Sequence, residues 1–132
     1  MRHRMLNAKI HRARVTEADL DYVGSISIDP ALLTRAGIHA HEQVAVYNLS
    51  NGARFETYAM AGGAGDCIVN GAAARLVSQG DRVIVITYGV YDEVELEEYE
   101  PTIVHVDERN AMIPEHEAVE RAGSNVVWIR ST

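Results

Sequence analysis

The chain has 132 residues, 47% apolar and 23% charged, with a net charge of −7 and one cysteine. That length fits one domain with a real core. No apolar run approaches the roughly 18 residues of a membrane span, and a lone Cys67 excludes an internal disulfide framework and suits a reducing cytoplasm. Charge is unevenly spread. Residues 1–16 hold Arg2, Arg4, Lys9, Arg12 and Arg14 with no acid, whereas "DEVELEEYE" at 92–100 holds six acids and no base. The basic arm lacks the apolar block of a signal peptide. It is also a poor nucleic-acid footprint, because the acidic remainder repels phosphates. The acidic run reads as a solvated strand edge.

In chain order, short β-like runs dominate. "AKIHRARVTEA" sets Ile10 and Val15 among basic residues, and "DYVGSISID" at 21–29 reads as a strand with Gly24 and Ser25 at its centre. "DPALLTRAGI" predicts a short helix, with Asp29 as cap, Pro30 in the first turn and Gly37 as stop. "EQVAVYNL" and "RFETYAM" read as strands joined through a hairpin signal at Ser50, Asn51 and Gly52. "AGGAG" at 61–65 is a loop. "NGAAARLVSQGD" predicts a second helix, capped by Asn70 and ended by Gly80. "DRVIVITYGV" is a nearly continuous apolar strand, expected to be buried on both faces, and "TIVHVD" closes the set. After Asp107 the character is mixed, and "NVVWI" is left without an assignment. Six or so strands with two short helices point to a small closed barrel, one domain over 1–132.

The chain has no P-loop, no dinucleotide fingerprint and no GxSxG elbow. Its histidines are not spaced as metal ligands, and Cys67 has no CxxC partner, so no metal is expected. That leaves Gly24-Ser25. Glycine weakens a strand interior, and a bare Gly-Ser there is usually a bulge or barrel corner. The chemical alternative is that the serine hydroxyl attacks the preceding carbonyl across a strained backbone. The ester so formed eliminates and hydrolyses, leaving a carbonyl where the serine amine was. A glycine before the serine helps by entering conformations closed to other residues.

Several blocks together resemble the aspartate decarboxylase family, the pyruvoyl-dependent enzymes that make β-alanine. They are "MLNAKIHRARVTEADLDYVGS" at 5–25, "NGARFETYA" at 51–59, "VNGAAARL" at 69–76 and, more loosely, "GDRVIVITY" at 80–88. The resemblance runs from about Met1 to Val106 and leaves 107–132 as a variable tail. It implies a mainly β fold, a six-stranded double-psi β-barrel with short capping helices. It also implies a cytoplasmic homotetramer with sites between subunits, and a proenzyme that cleaves between Gly24 and Ser25, with or without a maturation factor. The products are a β chain, 1–24, and an α chain, 25–132, that begins with a pyruvoyl group made from Ser25. That group forms a Schiff base with the substrate amine and accepts the electrons left when CO2 departs. No bound metal is implied.

The resemblance also assigns roles. Lys9 and Arg54 bind the two carboxylates of L-aspartate, with Thr57 and the segment Gly71, Ala72 and Ala73 also at the substrate. Tyr58 donates the proton that replaces CO2. His11, Tyr22 and Asn70 are supporting residues. Strand alternation puts Arg54, Glu56 and Tyr58 on one face and Phe55 and Thr57 on the other, so bending near a bulge is needed to bring Thr57 to the site. The N–H groups that open a helix at Gly71 suit a carboxylate. The product, β-alanine, feeds pantothenate synthesis. Two other readings compete: a non-catalytic double-psi barrel that serves as a binding module, and a pyruvoyl decarboxylase for another amino acid. The joint presence of Lys9, Arg54, Thr57 and Tyr58 argues against the first, and the pairing of Lys9 with Arg54 argues against a neutral substrate.

Overall fold

A computed structural model describes residues 1–122; "NVVWI" lies outside the described residues. All six expected runs form strands: β1 (His3–Arg14), β3 (Ser25–Ile28), β4 (Gln43–Asn48), β5 (Arg54–Ala61), β7 (Arg82–Tyr91) and β8 (Thr102–Val106). Three short strands were not foreseen: β2 (Glu17–Asp19), β6 (Cys67–Asn70) and β9 (Met112–Ile113). The protein is mainly β, with sheet order β2-β6-β3-β5-β4-β7-β1-β8-β9. The order itself shows that the sheet curls. β1 lies near one end and β2 at the other, yet only Val15 and Thr16 separate them in sequence. Those two residues tie the ends together, with Val15 N–H donating to the Asp81 carbonyl and Thr16 N–H to the Cys67 carbonyl, both at 2.8 Å. The result is barrel-like.

One face of each long strand supplies the core. Ile10, Val15, Ile26, Ile28, Val44, Val46, Val69, Val83 and Val85 are fully buried, each contributing about 1.5–3 kcal/mol relative to exposure. β1 lies between β7 (antiparallel) and β8 (parallel), and its register against β7 shifts between Ile10 and Ala13, where Arg12 takes φ 71°. Helix α1 (Pro30–Ala36) forms as expected. The Asp29 side chain accepts from the Ala31 N–H at 2.8 Å, and Gly37 ends the helix at φ 72°.

Four expectations need correction. Gly24 and Ser25 are not mid-strand: residues 21–24 are turn and bend, and β3 begins at Ser25. The second helix is a 3-10 helix over Gly71–Leu76 that gives way to extended backbone at Val77, short of Gly80. Its expected cap, Asn70, makes no side-chain capping bond; that side chain is used elsewhere, as described below. The acidic run is not a strand edge but a 3-10 helix, Glu95–Glu98, in which Asp92 and Glu95 close the turn by accepting each other's N–H at 2.9 Å. Finally, β7 is buried on both faces only over Val85–Thr87, and beyond that Tyr88 and Val90 are exposed. After Asp107 the chain makes β9 against β8 and then helix α2 (Glu115–Ala122).

Candidate active site

The Gly24-Ser25 pair sits where the exposed segment Leu20–Val23 enters the barrel. Leu20, Tyr22 and Val23 are largely exposed, whereas Ser25 is only 4% exposed. Ser25 pairs with Asn70 across β3 and β6. The Asn70 side-chain amide donates to Ser25 Oγ at 3.1 Å and to Ser27 Oγ at 3.3 Å. This explains the missing cap: Asn70 is turned to the serine hydroxyls instead of the helix. Donation into Oγ fixes one lone pair and orients the hydroxyl in a site screened from water.

The glycine rationale moves one strand over. Gly24 has no left-handed φ, and an added Cβ meets nothing nearer than the Asn70 carbonyl at 4.0 Å. Gly71 carries the constraint instead. Its φ is 72°, and a Cβ there would lie 2.6 Å from Gly24 Cα and 3.0 Å from Gly24 N. Real side chains do not tolerate such a separation, and a left-handed φ disfavours them in any case. Of the two residues that follow, Ala72 is exposed and Ala73 packs partly against the core.

β5 carries the next group. Its parallel register with β3 matches Ile26 with Ala59, so Ser25 and Tyr58 precede matched partners on adjacent strands, about 5 Å apart in backbone terms. Both lie opposite the core face that holds Ile26 and Ala59. The Tyr58 ring stacks on His41, with centroids 6.0 Å apart. β5 pairs with β4 from Arg54 to Tyr58 with no register break. Thr57 is therefore opposite buried Val44, on the face away from Arg54 and Tyr58, and no bulge in this pairing turns it round.

Arg54 stands at the far end of β5, roughly 13 Å along the strand from Tyr58. It lines an open groove of about 500 Å³ with Arg4, Gln43, Tyr47, Glu56 and Tyr88. The guanidinium lies over the Tyr47 ring at 4.7 Å. The Tyr47 and Tyr88 hydroxyls are 3.2 Å apart, and Arg4 lies over Tyr88 at 5.6 Å. The bond to Tyr47, with burial, raises the Tyr88 phenol above its ordinary value. Sequence reasoning missed Arg4, Tyr47 and Tyr88. The signal was present, since the Ser50–Gly52 turn sets Tyr47 directly across from Arg54.

Lys9 forms a third group, on the β1 face opposite Ala8 and Ile10. Its partners are Ile86 on β7 and Ile103 on β8, and His11 pairs with His105. The two imidazoles meet edge to face at 5.9 Å and are buried. Burial first, then the nearby Lys9, His105 and Arg12, push His11 down to about 3, so it is neutral at pH 7. Burial also lowers Lys9 and His105. The row Lys9–Ile86–Ala45–Glu56 crosses three strand spacings, about 14 Å, so Lys9 and Arg54 do not converge within one chain. Cys67 is no competing nucleophile: burial, then Asp66, push its thiol up to about 12. Among the described residues no group of three or more His, Cys, Asp or Glu side chains is placed to hold a metal, and no helix is long and apolar enough to cross a membrane.

The structure is thus a barrel-like β protein with a buried, hydrogen-bonded serine after a glycine, and with arginine, tyrosine and lysine on the face away from its core. Comparison with known proteins identifies the family. The family model described as aspartate decarboxylase matches residues 1–113. "Aspartate 1-decarboxylase 2" of Gloeobacter violaceus is 54% identical over 90% of this chain and 97% of its own length. "Aspartate 1-decarboxylase" of Heliobacterium modesticaldum is 52% identical over 83% of this chain and 84% of its own. That of Phenylobacterium zucineum is 55% identical over 80% and 92%. The chain belongs to the aspartate decarboxylase family and is a carbon–carbon lyase.

Proposed function

We propose that the protein decarboxylates L-aspartate to β-alanine and CO2 in the cytoplasm, for pantothenate synthesis, with a pyruvoyl group made from Ser25. The observation that carries this is the buried Ser25 hydroxyl, held by Asn70 at 3.1 Å immediately after Gly24, in a chain of this family. In maturation, Ser25 Oγ bonds to the Gly24 carbonyl carbon, the amide C–N bond breaks, and the Oγ proton passes to the nitrogen. Loss of the Ser25 Cα proton then expels the Gly24 carboxylate, and water replaces the nitrogen as ammonia. The residues present fit the group: Ser25 is buried and its hydroxyl oxygen is oriented by Asn70.

When formed, the pyruvoyl group supplies the electron sink for loss of CO2. The chain's own residues do the rest. Arg54, steadied over Tyr47, offers a planar fork to one substrate carboxylate, and Lys9 offers a point charge to the other. The Tyr58 hydroxyl donates a proton to the carbon that lost CO2. The three groups stand apart on a single chain. This supports a homotetramer whose subunits complete one another's sites, the separated groups of one subunit being met by those of the next.

Intact-mass measurement under denaturing conditions tests the reading. The mature protein should give two chains, 1–24 and 25–132, the larger one resistant to Edman degradation because a pyruvoyl end has no amine. Ser25→Ala should remain whole, folded and inactive. A whole wild-type chain that turns over aspartate would refute self-cleavage as the source of activity.

A further inference from the structure

We propose that Gly71 is a positioning residue for chain cleavage, resting on the self-cleavage reading above. Residues 70 and 71 grip the cleavage pair one against one. Asn70 is the register partner of Ser25 and bonds its hydroxyl. Gly71 presses its bare Cα against the Gly24 backbone, where an added Cβ would stand 2.6 Å from Gly24 Cα, 3.0 Å from its N and 3.4 Å from the Tyr22 carbonyl. Two of these contacts are to the residue whose carbonyl is attacked, and all three are to backbone, which cannot swing aside as a side-chain tip can.

The geometry of attack shows why this matters. Oγ must approach the Gly24 carbonyl carbon through a five-membered ring that includes Ser25 Cα and N, so the rotation of the Gly24–Ser25 peptide decides whether the orbital path is open. With Asn70 holding the hydroxyl, Gly71 abuts the Gly24 Cα and N that lead into the attacked carbonyl. A Cβ at 71 drives the Gly24 backbone away while Asn70 retains Ser25, and a displacement of about 1 Å between reacting groups costs on the order of 10²-fold in rate. The small residue at 71 thus serves maturation, a role separate from the substrate contact that the family resemblance assigns to this segment.

The test follows cleavage by denaturing mass spectrometry in freshly made wild type, Gly71→Ala, Gly71→Asn and Gly52→Ala. Gly52 also has a positive φ, 79°, but open space where its Cβ would go, so it controls for backbone strain alone. Asparagine tolerates the left-handed region yet brings the same Cβ. Both Gly71 variants should fold, by circular dichroism, and cleave at least tenfold more slowly than wild type, whereas Gly52→Ala should cleave normally. Hydroxylamine intercepts an ester, so it should not speed cleavage of either Gly71 variant, in which ester formation is the blocked step. Wild-type cleavage in Gly71→Asn, fast hydroxylamine release in Gly71→Ala, or failure of both Gly71 variants to fold while Gly52→Ala folds, would each overturn the proposal. An uncleaved wild-type chain would instead overturn the self-cleavage reading beneath it.

Discussion

His11 offers a sharp test of how the buried cluster on β1 and β8 is charged. In the folded protein burial, with help from Lys9, His105 and Arg12, pushes it to about 3, against an ordinary value near 6.5. The unfolded chain therefore binds a proton at His11 between about pH 6.5 and 3 that the folded protein refuses, so folding stability falls as pH drops through that window. At pH 5 the unfolded state has gained about 1.5 pH units of protonation free energy, or about 2 kcal/mol at 1.36 kcal/mol per unit. The residue is 2% exposed, so solvent screening removes little of this. The assay is urea unfolding at pH 7 and pH 5, at fixed protein concentration, in an uncut Ser25→Ala background with His11 or with His11→Leu. Every other titrating group, His105 included, is common to both proteins. The His11 protein should lose about 2 kcal/mol more than the leucine protein on going to pH 5. Equal losses would show that His11 titrates normally in the fold and would refute a dry, neutral cluster beside Lys9.

The catalytic assignments are tested on cleaved protein. Arg54→Ala removes a charge-assisted carboxylate contact, worth roughly 2–5 kcal/mol at a buried interface. Catalytic efficiency and selectivity for aspartate over alanine should both fall, and Arg54→Lys should recover only part because it lacks the planar fork; unchanged selectivity would move Arg54 to a structural role. Tyr58→Phe should cleave normally but lose roughly 10²–10⁴-fold in β-alanine formation, measured beside the chain masses of the same sample. Near-normal turnover in fully cleaved protein would rule out Tyr58 as the proton donor.

Long, patterned strands were legible in the sequence because alternation and turn chemistry act locally. The Ser50–Gly52 signal and the Asp29–Gly37 capping set needed no tertiary information. β2, β6 and β9 were missed because two to four residues cannot display a period, and they are strands only through their partners. Asn70 shows the same limit at the site. Locally it is a good helix cap, but the β3–β6 register offers it Ser25 and Ser27, and the local preference loses. Gly24 drew attention as the glycine beside the serine, yet the steric demand falls on Gly71, forty-seven positions later in the chain, where only the fold brings the two backbones together. Arg54 and Tyr58 were placed on one face by alternation alone, but the separation of both from Lys9 depends on strand order, which periodicity does not encode.

The place of β1 gives the proposed cleavage a consequence for the protein's later life. β1 is hydrogen-bonded on both sides, to β7 along its length and to β8 over Ala8–His11, yet it lies wholly upstream of Gly24. A cut after Gly24 leaves this strand in the barrel without a covalent tie to the strands beside it. The uncut chain finds its fold in a unimolecular reaction, whereas a protein cut as proposed, once denatured, must bring two separate pieces back together in a concentration-dependent encounter, with no Ser25 left to restore the link. The proposed cleavage would thus make the molecule one-way: a cut chain depends on never losing the strand it was folded around, and its persistence is governed by how slowly β1 escapes.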